Sequence, residues 1–147
     1  MKDALWLFLT SNAPIAALVG DRIYPMLAPS SKIQNRPYVT IQRINQEVMG
    51  DHLTGVENLI RDSWQITVWA DDRDADAGTG GQKTLELVSK TIRQQINASR
   101  SSTAVWGEDV RRVIVKNIID SMEQIQDGSQ LAVFQCVMDC DIIYREA

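Results

Sequence analysis

Histidine occurs once in these 147 residues, at position 52, and cysteine only at 136 and 140. So few imidazoles and thiols argue against a transition-metal centre, which needs several such donors close together. They also argue against a disulfide scaffold. Cys136 and Cys140 are four residues apart, about 13 Å along a strand, whereas a disulfide needs Cα atoms within about 7 Å of each other. The two are read as buried, reduced thiols. No apolar run approaches the ~20 residues that span a bilayer. The apolar stretch Ala4–Leu9 follows Asp3 and leads into a helix restart, so no signal peptide is expected. Positive charge is in deficit: 15 Lys and Arg against 19 Asp and Glu leave a formal charge of −4. That argues against tight nucleic-acid binding, which draws on phosphate neutralisation, but not against passing contact with DNA. Internal repeats and low-complexity tracts are also missing. What remains, 44% hydrophobic and 23% charged residues, is an ordinary globular balance expected to form one domain over residues 1–147.

Apolar periodicity places the elements. Asp3 caps a short helix carrying Leu5, Phe8 and Leu9 on one face. Ser11 or Asn12 restarts it, with Pro14 in the first turn, where its missing N–H does no harm. Ile15, Leu18 and Val19 form the second stripe, and Gly20 stops the helix. A bent linker with Pro25, Pro29 and Pro37 leads to a strand from Tyr38 to about Met49. Its alternation is broken: Val39 and Ile41 share one parity, Ile44 and Val48 the other. Either a bulge shifts the phase or both faces touch protein. After a turn at Gly50–Gly55, a second strand ends in a clean alternation, with Trp64, Ile66, Val68 and Ala70 on one face.

A polar loop, Asp71–Gly81, precedes a helix from Thr84 to about Ala98 with its stripe at Leu85, Val88, Ile92 and Ile96. A small-residue loop, Asn97–Thr103, is the expected flexible segment. Val110–Ile119 reads as the third strand and Asp127-Gly128 as a turn. The fourth strand, Leu131–Tyr144, has Ala132, Phe134, Cys136, Met138, Cys140, Ile142 and Tyr144 in one phase. Gln135, Asp139 and Asp141 lie in the other. Helix, hairpin, helix, hairpin implies an α+β fold: an antiparallel sheet of two long hairpins with helices packed on one face.

Motifs with chemistry fall short. Ala77–Thr84 sits where a phosphate loop would, between strand and helix, but Ala77 replaces the leading glycine and Gln82 the glycine before Lys83. Asp72, Asp74 and Asp76 imitate half a calcium loop, but Ala77 replaces the turn glycine and Lys83 the bidentate glutamate. Both read as solvated loop. His52 beside Asp51 reads as a turn residue, since a triad is a matter of geometry and not adjacency. No pair of carboxylates is singled out for acid–base work. Arg111 and Arg112 are too small a cluster for a nucleic-acid patch. Trp69 lies out of phase with the Trp64 face, and Trp106 falls in a polar stretch. Each either fills a satellite cluster or anchors a partner.

Arg22-Ile23-Tyr24-Pro25, followed after a loop by Pro37-Tyr38-Val39, resembles the N-terminal signature of phage tail-completion proteins. These are tail-terminator-like, head–tail joining proteins of long-tailed bacteriophages. The match is strongest over residues 15 to 44 and is helped by the strand Gln65–Ala70. Beyond Gly81 it is one of pattern. The resemblance implies the element order above and a structural, non-enzymatic role without cofactors. The protein would form a hexameric ring in the tail or neck of a phage or prophage virion, assembled in the host cytoplasm. The ring would end the tail tube. Implied partners are further copies of the chain, the tail tube protein, the head connector protein and genomic DNA passing through the lumen, with no membrane. Other readings are a different head–tail connector component, a stopper or adaptor, or a small binding domain using the 71–81 loop for a metal ion or phosphate. Identical subunits that contact head to tail close into a ring, and unpaired hairpin edges invite such contacts. The subunit-interface candidates are Trp69, Trp106, Ile114 and Ile118.

Overall fold

The computed structural model describes residues 4–26, 37–49, 59–71, 80–107, 109–124 and 132–145. Two short helices open the chain, α1 (Ala4–Ser11) and α2 (Ala13–Val19). The Asn12 side chain divides them. Its Oδ1 accepts a hydrogen bond from the Ile15 N–H at 3.2 Å, and its Nδ2 donates to Gln95 Oε1 at 3.1 Å. One amide thus satisfies an orphan helix donor and ties α2 to a later helix. Gly20 ends α2 at φ +60° with its N–H on the Ala16 carbonyl; a Cβ is strained there.

The linker expected after Gly20 contains a strand, β1 (Ile23–Pro25). It pairs in parallel with β2 (Tyr38–Met49), Ile23 opposite Val39 and Pro25 opposite Ile41. β3 (Leu59–Asp71) follows, then α3 (Gly80–Ser99), α4 (Thr103–Trp106), β4 (Val110–Gln124) and β5 (Ala132–Arg145). The sheet order is β1-β2-β3-β5-β4, and every pair except β1–β2 is antiparallel. The α+β class and the two hairpins stand, with a parallel edge strand added. The expected 97–103 loop is shorter than foreseen, because α3 runs to Ser99 and α4 begins at Thr103.

The helices cover one face of the sheet. α3 lies across β3, β4 and β5, while α1 and α2 fill the space between α3 and β1. Leu85, Val88, Ile92 and Ile96 meet Ile66, Val68, Cys136, Met138 and Cys140 in one core. Full burial of each large aliphatic side chain contributes about 1.5–3 kcal/mol. The start of α3 is pressed against the end of β3: a Cβ on Gly81 would stand 2.6 Å from the Asp71 carbonyl oxygen. The broken alternation in β2 is a bulge between Arg43 and Asn45, and β4 carries its own between Lys116 and Ile119. Asn117 sits in the latter at φ +51°, a conformation that asparagine tolerates.

Candidate assembly surface

The face of the sheet away from the helices carries three features in sequence-distant strands. The first is an aromatic row. Tyr24 meets Tyr38 edge-on at 6.0 Å between ring centroids, and Tyr38 stacks on Trp69 at 5.9 Å. The Trp69 indole N–H donates to Thr40 Oγ1 at 3.2 Å. Trp69 is half-buried, so one side of the ring is committed to this row and the rest reaches solvent.

The second feature is a buried carboxylate. Asp141 lies in the phase of β5 that alternation assigns to the polar side, yet it is buried. Ser63 Oγ donates to its Oδ1 at 2.9 Å, and Lys116 Nζ lies 2.8 Å and Arg61 Nε 3.8 Å from its Oδ2. Beside it, Asn117 Nδ2 donates to Asp139 Oδ2 at 2.9 Å. These charge-assisted contacts lock the β4 bulge onto β5.

The third feature is an apolar rim. Ile118 in the bulge is exposed, Ile119 beyond it is 62% exposed, and Ile114 is half-buried. On the opposite edge, Ile44 at the β2 bulge is exposed as well. Of the four residues expected at an interface, Trp69, Ile114 and Ile118 reach the surface. Trp106 is 5% exposed: it stacks on Phe8 at 4.3 Å and donates its N–H to Ser99 Oγ at 3.2 Å. It pins α4 and α1 together inside the chain's own core. The polar stretch around it is the short helix α4, which turns its one aromatic inward.

The helix-covered side holds a second buried carboxylate that sequence reasoning missed. Asp62 is 1% exposed. Its nearest cation is Arg43, Nη1 to Oδ2 3.9 Å. Gln46 lies beside it, but the Gln46 amide donates to the Tyr144 hydroxyl at 2.9 Å, and neither Asp62 oxygen receives a hydrogen bond. Burial raises the Asp62 pKa above its ordinary 3.8, with Arg43 and then the neighbouring Gln46 amide offsetting part of the effect. The interruption was visible as a polar residue in the Ile60, Trp64, Ile66 phase.

Both cysteines are free and buried, as expected. Burial, then the neighbouring Asp120, push the Cys136 thiol up to about 12. Burial and Asp141 push Cys140 up to about 12. Neither is a nucleophile at neutral pH. Among the described residues no group of three His, Cys, Asp or Glu side chains could hold a metal ion, and no helix is long and apolar enough to cross a membrane. His52, Asp127-Gly128, the calcium-like run at 72–76 and the first three residues of the phosphate-like stretch, 77–79, lie outside the described residues; the rest of that stretch, 80–84, opens α3.

The fold is similar to that of a chain in the virion of a native gene transfer agent particle. The match has a TM-score of 0.57 at 14% identity and covers 99% of this chain and 95% of that one. No protein family matches the sequence, and no curated protein matches it.

Proposed function

We propose that this chain is a structural subunit of a phage-like particle, and that copies of it form a ring at the head–tail junction. The ring ends the tail tube and docks it to the head connector. The observation that carries the reading is the end-to-end fold likeness to a virion chain of a gene transfer agent. The resemblance of residues 15 to 44 to tail-completion proteins supports the finer placement. The surface features are those of an assembling protein: exposed isoleucines along a sheet edge, and a partly exposed indole held rigidly by its neighbours.

In this reading the chain does its work by shape and not by turnover. Ile114, Ile118 and the free side of Trp69 touch neighbouring copies, while Trp106 supports from within by fixing α4. Partners are the tail tube protein, the head connector protein and DNA in passage. Deleting the gene tests the proposal. The expected result is tails of uncontrolled length and heads left unjoined in electron micrographs. Particles of normal tail length joined to filled heads overturn it.

A further inference from the structure

We infer that the seam between neighbouring copies is an added β-ladder: the outer edge of β2 over residues 42–49 pairs antiparallel with the outer edge of β4 over residues 114–121. The inference rests on the ring reading and supplies its contact. Among the described residues both edges are open over these stretches, and each is bounded. β1 covers β2 only as far as Ile41, where the Met26 N–H reaches the Ile41 carbonyl at 2.7 Å. On β4 the Arg100 carbonyl occupies the Val113 N–H at 2.9 Å, and no strand pairs with the edge beyond it. The open edge of β4 runs on to Gln124, so it is long enough to receive all of the open edge of β2, which ends at Met49.

Direction and charge agree. Three antiparallel steps separate β2 from β4, so the two run oppositely. A second copy placed alongside in the same orientation brings its β2 antiparallel to β4. Setting the neighbour's Arg43 against Asp120 also sets its Glu47 against Lys116. The faces match in both cases. Arg43 pairs with Trp64 and Asp120 with Cys136, both on the helix side. Glu47 pairs with Arg61 and Lys116 with Asp139, both on the bare side. In a regular strand residues four apart share a face. Here each strand carries one extra residue between its two charges, so both flip together. The same register brings the neighbour's Ile44, 57% exposed, against Ile119, 62% exposed. Within one sheet Asp120 is level with Val39, so each junction is staggered by about 13 Å at ~3.3 Å per residue. Such a stagger tilts strands against the axis of a closed ring.

The test is a disulfide across the seam in the double variant Glu47→Cys, Lys116→Cys. Both positions are exposed, and the native thiols are buried. Within one chain β2 and β4 are three strand spacings apart, about 14 Å, too far for a disulfide. Oxidation in concentrated solution and in particles should give a ladder of multimers on a non-reducing gel. Neither single variant can pass the dimer. The out-of-register pair Glu47→Cys, Ser121→Cys should give no ladder. Met49→Cys with Ile114→Cys, the next matched pair on the same face, repeats the test if the first variant fails to fold. Assemblies that form without these cross-links overturn the seam and leave the ring reading standing. A chain that is monomeric both in concentrated solution and when recovered from particle-producing cells overturns both.

Discussion

Asp62 and Asp141 are buried carboxylates in adjacent rows of the same sheet, one on each face, and they obey opposite rules. Asp141 has a hydroxyl donor and two cations within 4 Å, each partly in water. Asp62 faces the helix side with a single guanidinium at 3.9 Å and no hydrogen bond. A buried charge is tolerable when donors surround it and unfavourable when they do not. The bare face can satisfy its carboxylate because long polar side chains from β3 and β4 reach over it from solvent. The covered face offers mainly Leu, Ile and Val. The contrast is thus between a face built to hold charge and a face built to exclude it.

The largest effect should come from breaking the covered face where it is driest. Ile66 is fully buried on β3, four residues from Asp62 and in the same phase. Ile66→Ala should lose about 3–4 kcal/mol of unfolding free energy, the usual range for a cavity in a packed core. A loss below about 1 kcal/mol in urea titration would mean that this face is not the tight core described. Second in size is Asp141→Ala. It removes the acceptor from Ser63, Lys116 and Arg61 and should cost about 2–3 kcal/mol. The figure stays below that for a fully buried pair because both cations keep water. Asp141→Asn, which retains an acceptor for Ser63, should cost less.

Third is Trp69→Ala, at the other end of Asp141's face. The indole stacks on Tyr38 and bonds Thr40, so some stability is lost, about 1–2 kcal/mol by the worth of an aromatic pair and one hydrogen bond. If the exposed side of the ring anchors a neighbour, assembly measured by native mass spectrometry should fall more steeply than melting does. Parallel loss of both would confine Trp69 to a structural role.

Much of this architecture is legible in the residues because its signals are local. The three-and-four spacing of Leu85, Val88, Ile92 and Ile96 and the strict alternation from Trp64 to Ala70 each need only neighbours to be read. β1 is not legible: three residues ending in proline become a strand only because β2, beginning thirteen residues later, lies alongside. α4 is hidden for a similar reason, since Ser101, Ser102 and Thr103 read as loop and only the packing of Trp106 on Phe8 makes a helical turn worthwhile. Trp69 could be picked as a surface candidate from its parity, whereas Ile118 reaches the surface through the β4 bulge. Ile119 and the matched charges of β2 and β4 could not be picked, because the bulges that place them are invisible to a count of two. Asp62 could be seen as an interruption, but not that its oxygens lack donors.

The smallest effect is the one that separates the two carboxylates most cleanly. Asp62→Asn removes the charge and keeps the shape. At pH 7 it should raise stability by about 1 kcal/mol, as replacing a poorly compensated buried ion often does. The sign follows from the raised pKa, caused chiefly by burial. The folded protein holds the Asp62 proton more tightly than the unfolded chain does. That contribution to stability is therefore complete below the ordinary value of 3.8 and is lost as pH rises through the raised one. The advantage of the asparagine variant should accordingly be full at neutral pH and shrink as acid protonates the wild-type carboxylate. Thermal melts of both proteins between pH 4 and 8 would show the two curves converging at the acid end. If the asparagine variant is instead the less stable at neutral pH, the Arg43 contact outweighs desolvation. The covered face would then hold charge by the same rule as the bare one.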